Sequence, residues 1–347
     1  MNFNLNKVTR ENLKKLKPYS SARDEYVADG SPMVFLDANE NPFENGVNRY
    51  PDPRQRRLKS ALAQQKDISI ENMLLGNGSD EVLDLIFRAF CEPQRDNIVT
   101  LPPTYGMYKV LAGINAIENR EVLLTENFQP DVESILKTVD SNSKLLFLCS
   151  PNNPTGNSFS EEKIIRLLQG FQGLVVIDEA YIDFSTGTSW AKKLQEHPNL
   201  IVTQTLSKAY GLAGIRLGIC IASEDIISIL HKIKPPYNIN ELTQKRALKR
   251  LEGAARIRLE ISEILNQKKL LLKGLKHVKF IEKIYPSDAN FVLVKVDDAD
   301  KRYQQLLDMG IVTRNRSNQP LCENTLRFTI GTPDENIKLV MALKEIN

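Results

Sequence analysis

Between residues 73 and 221 the chain repeats one pattern: a short, largely apolar run, then a turn-forming or polar stretch, then in several cases an amphipathic segment. The runs are Met73 to Leu75, Ile98 to Leu101, Glu121 to Leu124, Leu145 to Cys149, Leu174 to Ile177, Leu200 to Thr203 and Leu217 to Ile221. A strand with one wet face alternates apolar and polar residues; most of these runs do not, so both faces must be covered. Helical spacing appears between them, as in Val82, Leu85, Ile86, Ala89 and Phe90, and again in Ile164, Ile165, Leu167 and Leu168. The pattern predicts an α/β fold, a mostly parallel seven-stranded sheet with helices on both faces. In such sheets ligands collect at the carboxyl ends of the strands, so the loops after the runs are the places to look for chemistry.

The chain has 347 residues, more than the ~250–300 that one core usually organises. Pro235-Pro236 interrupts the pattern, and the charged stretch from Glu241 to Lys276 reads as one or two helices, including a linking helix. Strands at Lys279 to Tyr285, Phe291 to Val296, Ile311 to Thr313 and Leu326 to Ile330, with helices near Ala299 to Met309 and Asp334 to Ile346, predict a smaller α/β C-terminal domain with an antiparallel sheet. Upstream, residues 1–30 read as a polar arm rather than a core element, Met33 to Pro42 as one short strand and a turn cluster, and Arg54 to Gln65 as a helix. The expected division is an arm at 1–30, a segment joining the small domain at 31–48, a large domain at 49–240 and the small domain at 241–347.

Several function classes are disfavoured. The net charge is only +3 and basic clusters such as Arg54, Arg56 and Arg57 lack interleaved aromatics, so nucleic acid is not the expected partner. Three histidines, His197, His231 and His277, make no metal-ligand spacing, so no metal site is expected. No apolar run nears the ~18 residues of a membrane span and no apolar signal core opens the chain. Cys149 and Cys220 sit inside apolar runs as free thiols, which fits a reducing compartment, and the expected location is the cytoplasm.

The strand-end loops carry a different chemistry. After Met73 to Leu75, the stretch Gly76-Asn77-Gly78-Ser79-Asp80 opens a helix, where the N–H groups of Gly78, Ser79 and Asp80 either face an anion or are capped by Ser79 or Asp80. Tyr105 follows the next run and offers a ring to a flat ligand, or is simply a core or surface tyrosine. Asn153 lies in the amide-rich Ser150 to Gly156 loop, which would also suit a structural corner. Asp178 follows four apolar residues, a costly place for an acid unless a cation or a protonated ring nitrogen pairs with it, or unless it caps a helix; Tyr181 is close behind. After Leu200 to Thr203 come Thr205, Ser207 and Lys208, then a glycine-rich turn ending in Arg216. A lysine among small residues, with an arginine eight positions on, suits an amine that bonds a phosphorylated aldehyde, pyridoxal phosphate, while the arginine grips the phosphate.

With these motifs in view the sequence resembles the histidinol-phosphate aminotransferases, within the fold type I pyridoxal-phosphate enzymes. The resemblance rests on Pro18-Tyr19, ANENP at Ala38 to Pro42, RYP at Arg49 to Pro51, GNGSDE at Gly76 to Glu81, PPTYGMY at Pro102 to Tyr108, SPNNPTG at Ser150 to Gly156, DEAY at Asp178 to Tyr181, TLSKAYGLAGIRLG at Thr205 to Gly218 and LRFTIGT at Leu326 to Thr332. It implies pyridoxal 5'-phosphate as cofactor, bonded to Lys208, with Asp178 on the pyridine nitrogen and Asn153 and Tyr181 on the ring's 3′-oxygen. Tyr105 would stack on the ring. Gly78, Ser79, Asp80, Thr205, Ser207 and Arg216 would hold the phosphate, joined by Tyr50 from the other subunit of a homodimer with shared active sites. Arg327 would grip the substrate anion, with Arg314, Tyr19 and Asn39 or Asn290 around it, and Arg316 stands as an alternative to Arg314.

The implied reaction moves an amino group between L-histidinol phosphate with 2-oxoglutarate and imidazole acetol phosphate with L-glutamate, a step of histidine biosynthesis. Aromatic or broad-specificity aminotransferases and threonine-phosphate decarboxylases share the scaffold and are the competing readings.

Overall fold

The computed structural model describes residues 3–19 and 33–346. Residues 20–30 of the expected arm, and 31–32 of the segment after it, lie outside them.

The expected large sheet forms, with strands β1 (Met73–Asn77), β2 (Asn97–Thr100), β3 (Glu118–Glu121), β4 (Ser143–Cys149), β5 (Leu174–Asp178), β6 (Leu200–Thr205) and β7 (Leu217–Ala222) in the order β1-β7-β6-β5-β4-β2-β3. All pairs are parallel except those of β7, which runs antiparallel to both β1 and β6. The reversal follows from chain length: only the short Leu206 to Arg216 loop separates β6 from β7, too little for a parallel crossover.

The period of two along each strand divides the apolar residues between two cores. Leu146, Leu148, Val175, Ile177, Leu200 and Val202 enter one; Leu145, Phe147, Leu174, Val176 and Ile201 enter the other. Helix α4 (Gly78–Phe90) packs Val82, Leu83, Leu85, Ile86, Phe87, Ala89 and Phe90 into the second core, beside Tyr108 and Leu111 of α5 (Met107–Ile114). Helices α3 (Arg56–Lys66) and α7 (Glu161–Gly170) serve the first.

After α8 (Glu224–Ile233), the charged stretch forms two helices, α9 (Glu241–Leu251) and α10 (Ala254–Leu275). They lead to an antiparallel sheet of β8 (Ile281–Ile284), β9 (Phe291–Val296), β10 (Arg314–Asn315) and β11 (Thr325–Thr329), ordered β10-β11-β9-β8 and covered by α10, α11 (Ala299–Asp308) and α12 (Pro333–Glu345) around a third core. Odd and even residues of β9 part company: Val292, Val294 and Val296 enter that third core, while Phe291 and Leu293 join the first core under the large sheet. This shared packing brings the small sheet to the strand ends of the large one.

Four local expectations change. Residues Leu5–Val8 and Glu11–Lys14, read as arm, form the short helices α1 and α2, and bury Val8 and Leu13 in the second core. Met33 to Leu36 is not a strand: it joins neither sheet, and Val34 and Leu36 are exposed at 84% and 88%. Strand β3 lies three residues earlier than expected, because this edge strand is polar and its exposure is set by position at the sheet margin. The third small-sheet strand is Arg314–Asn315, not Ile311 to Thr313, since the ladder to β11 begins only where Arg314 meets Arg327. Among the described residues no helix is long and apolar enough to cross a membrane, and all four cysteines are free and buried.

Candidate active site

The carboxyl ends of β4, β5 and β6, the start of α4 and the strands β10 and β11 enclose a cleft of about 270 Å³. Ser79, Asp80, Tyr105, Asn153, Asp178, Tyr181, Thr205, Ser207, Lys208, Arg216, Arg314 and Arg327, predicted from separate loops, all line it.

Asp178 forms the floor. Alternation along β5 puts it on the face of Leu174 and Val176, where it is buried against α5. Its Oδ2 accepts from the Tyr108 hydroxyl at 2.9 Å and its Oδ1 from the Ala180 N–H at 3.2 Å. Burial raises its pKa, with the Tyr108 bond and then the Ala180 bond pulling the other way. A cation placed above this carboxylate would remove much of that cost.

Lys208 stands across the cleft, its Nζ 5.8 Å from the centre of the Tyr181 ring. Burial lowers its pKa, and the positive charge of Arg327 adds to the effect. The amine is thereby easier to deprotonate than a surface lysine, as a nucleophile or base requires.

At one end the donors suit a phosphate. Asn77 precedes α4 without a side-chain cap bond, and Ser79 and Asp80 of the helix's first turn line the cleft. The Asp80 carboxylate instead accepts from the Tyr105 hydroxyl at 3.0 Å and lies 3.5 Å from Arg216. Thr205 and Ser207 join through their hydroxyls at 3.0 Å. Gly78 has φ +75°, and a Cβ there would lie 2.6 Å from Arg216 Nη2. Only glycine lets the guanidinium close over the helix terminus.

At the other end the two sheets meet. Asn153 donates through Nδ2 to the Tyr181 hydroxyl at 3.4 Å, and its Oδ1 accepts from Arg327 Nη1. Arg327 also lies over the Phe291 ring, 5.0 Å from its centre. Burial pulls the Arg327 guanidinium down to about 10, helped by Arg316 and Arg314, so it remains charged at neutral pH.

The residues present fit a phosphorylated pyridine aldehyde: an uncapped helix terminus with an arginine for the phosphate, a buried acid for a ring nitrogen, a phenol and an amide for a ring oxygen, and an amine for the aldehyde.

Other predicted residues lie elsewhere in this chain. Tyr50 and Asn39 line a separate cavity in which Tyr50 stacks on Tyr237 at 4.5 Å. Tyr19 is exposed and borders a third cavity beside Pro53 and Arg54. Asn290 is half-buried, and its carbonyl accepts from the Ile330 N–H. The structure adds Cys149 and Ala180 to the cleft wall and Tyr108 beneath it, and Arg316, weighed as an alternative to Arg314, lines the cleft together with it. Tyr108 carried no signal in the chain beyond its place in the PPTYGMY motif, because its role depends on the fold bringing it to an acid far along the chain, Asp178.

The model of the aminotransferase class I and II family matches residues 31–343. The histidinol-phosphate aminotransferase of Flavobacterium johnsoniae is 65% identical over 346 residues, covering 99% of both chains. Among solved structures, the histidinol-phosphate aminotransferase from Clostridium acetobutylicum superposes with a TM-score of 0.80 at 26% identity, over 86% of this chain and 91% of that one. The enzyme of that name from Sinorhizobium meliloti, in complex with pyridoxal-5'-phosphate, gives 0.77 at 25% identity, over 86% and 82%. The chain therefore belongs to the class I and II aminotransferases, and within that class to the family of histidinol-phosphate aminotransferases.

Proposed function

We propose that this chain is a pyridoxal 5'-phosphate-dependent enzyme that transfers an amino group between L-histidinol phosphate with 2-oxoglutarate and imidazole acetol phosphate with L-glutamate, a step of histidine biosynthesis. The observation that carries the reading is one cleft in which Lys208 and buried Asp178 face an arginine-rich wall from the second sheet.

When bound, the cofactor supplies an electron-withdrawing pyridinium ring that accepts the electron pair left on the substrate's Cα. Asp178 keeps the ring nitrogen protonated, and Tyr108 holds the carboxylate in place. Lys208 Nζ would hold the aldehyde and, once displaced from it by the substrate's amine, would be free to take the proton from the substrate's Cα. Tyr181 and Asn153 donate to the ring's 3′-oxygen, Tyr105 covers the ring face, and the α4 amides with Thr205, Ser207 and Arg216 hold the phosphate. Arg327 and Arg314 bind the substrate's phosphate in one half-reaction and a carboxylate in the other, since a guanidinium fork accepts both.

We further propose a homodimer in which Tyr50 completes the partner's phosphate site. Tyr50 lies outside its own subunit's cleft, and Val34, Leu36, Phe43 and Val47 beside it in the chain expose apolar surface. In this assembly residues 49–240 form the cofactor domain and 241–347 the small domain. The buried free thiols support a cytoplasmic enzyme.

The deciding assay measures turnover of histidinol phosphate against phenylalanine, tyrosine and O-phosphothreonine. Faster transamination of phenylalanine or tyrosine, or loss of carbon dioxide from O-phosphothreonine, would refute the substrate assignment. For the dimer, Tyr50→Phe should weaken cofactor retention; full activity in a monomer would refute shared sites.

A further inference from the structure

Arg314 lies directly opposite Arg327 in the antiparallel pairing of β10 with β11. The N–H of Arg316 donates to the Thr325 carbonyl at 2.9 Å and continues the ladder. Two positions beyond Arg314, Arg316 shares its face, and all three side chains line the cleft. Like charges opposite each other on a sheet are unfavourable, so three guanidiniums on one face call for an anion.

No carboxylate among the described residues provides it. The groups acting electrostatically on Arg316 are Arg314, Tyr181 and Cys322, and those acting on Arg327 are Arg316, Tyr181 and Arg314. Arginines elsewhere contrast with this: Arg302 pairs with Asp297 and Arg250 with Glu260. Burial lowers the pKa of Arg316, and its Nε is buried without a hydrogen-bond partner, as is that of Arg327. A buried guanidinium nitrogen left open beside a cleft is a donor awaiting a ligand oxygen.

We propose that Arg316 is a third anion-binding guanidinium of the substrate subsite, and that its charge sets the preference for a phosphate dianion over a carboxylate. The inference rests on the assignment of a phosphorylated substrate made above. A carboxylate presents two oxygens in a plane and one charge, which one or two forks satisfy. A phosphate monoester presents three terminal oxygens and nearly two charges at neutral pH, which reward a third donor. Glutamate, whose carboxylates each carry one charge, gains less from it.

The test compares Arg316→Gln and Arg316→Lys with the unaltered holoenzyme. The readouts are KM and kcat for histidinol phosphate and for glutamate in the reverse reaction, and inhibition by inorganic phosphate. A charge-assisted contact of this kind predicts that R316Q raises KM for histidinol phosphate roughly 10- to 100-fold. Phosphate inhibition should weaken by a similar factor, KM for glutamate should stay within about threefold, and R316K should recover part of the loss. Equal losses for both substrates, no loss for either, or a fall in kcat with an unchanged KM ratio would overturn the proposal and leave Arg316 a structural residue. Should R316Q fail to fold, R316K carries the same comparison, because it keeps the charge and loses the planar fork. If the unaltered enzyme ignores histidinol phosphate while R316Q still loses phosphate inhibition, the substrate assignment fails and the anion site stands.

Discussion

The hydroxyl of Tyr108, buried in the second core, reaches Oδ2 of Asp178 at 2.9 Å. Tyr108 is fully buried, stacked on Phe147 at 4.8 Å and edge-on to Tyr105 at 5.6 Å, so the donor cannot turn away. Tyr108→Phe removes the strongest influence opposing the burial of Asp178, and the carboxyl pKa rises further. The apoprotein of this variant should bind pyridoxal phosphate roughly tenfold more weakly, the scale of one hydrogen bond to a charged group. Absorbance titration measures it, and unchanged affinity would show that the Ala180 N–H alone suffices.

Lys208 should be the site of covalent cofactor attachment. Borohydride reduction of the holoenzyme, followed by peptide mapping, should place the pyridoxyl group on Lys208. Lys208→Ala should lower turnover by at least the about 10²- to 10⁴-fold that a positioned acid–base contributes. A label on another lysine, or turnover surviving the substitution, would remove Lys208 from its role.

Gly78 sets the distance between helix α4 and Arg216. Gly78→Ala combines a positive φ with a Cβ 2.6 Å from Arg216 Nη2. The variant should lose about 1 kcal/mol or more of stability and also bind inorganic phosphate and cofactor more weakly. Thermal melts with and without phosphate separate the two losses; an unchanged phosphate shift in Tm would exclude this terminus as the phosphate cradle.

Glu179, the first residue past β5, accepts from Ser189 Oγ, from Gln204 Nε2 at 2.8 Å and from the Trp190 N–H at 2.6 Å. Burial raises its pKa from an ordinary 4.5 to about 7, against those three bonds and the charge of Lys66. The folded state therefore holds more protons than the unfolded state between those values, and Glu179 costs stability as pH rises through that window. Glu179→Gln should flatten this decline: its Tm relative to the unaltered protein should rise from pH 4.5 to 7 and then level off. The swap is tolerated because the Gln204 amide can turn, its Oε1 being buried without a partner. Parallel Tm profiles for the two proteins would rule out titration of Glu179 in this range.

Much of the cofactor end of the cleft was legible in the chain. Seven runs became the seven strands, with β3 displaced, because burial on both faces leaves a composition signal that needs no knowledge of neighbours. The loops holding Ser79, Asn153, Asp178, Lys208 and Arg216 could be read because a parallel sheet delivers all its strand ends to one side, whatever the details of its helices. Val34 and Leu36 misled for the converse reason: apolar content alone does not make a strand, and both side chains are exposed rather than buried in a sheet.

The sequence by itself determined the layered α/β architecture and the kinds of group at each strand end, since both follow from local pattern and chain direction. Tertiary structure decided which groups meet. Alternation along β5 sent Asp178 to Tyr108, Glu179 just past that strand met Gln204, and the division of β9 between two cores brought the small sheet against the cleft. The β10 and β11 register set Arg314 against Arg327 with Arg316 beside them. Such contacts join residues distant in the chain, and their geometry depends on packing that no local pattern records.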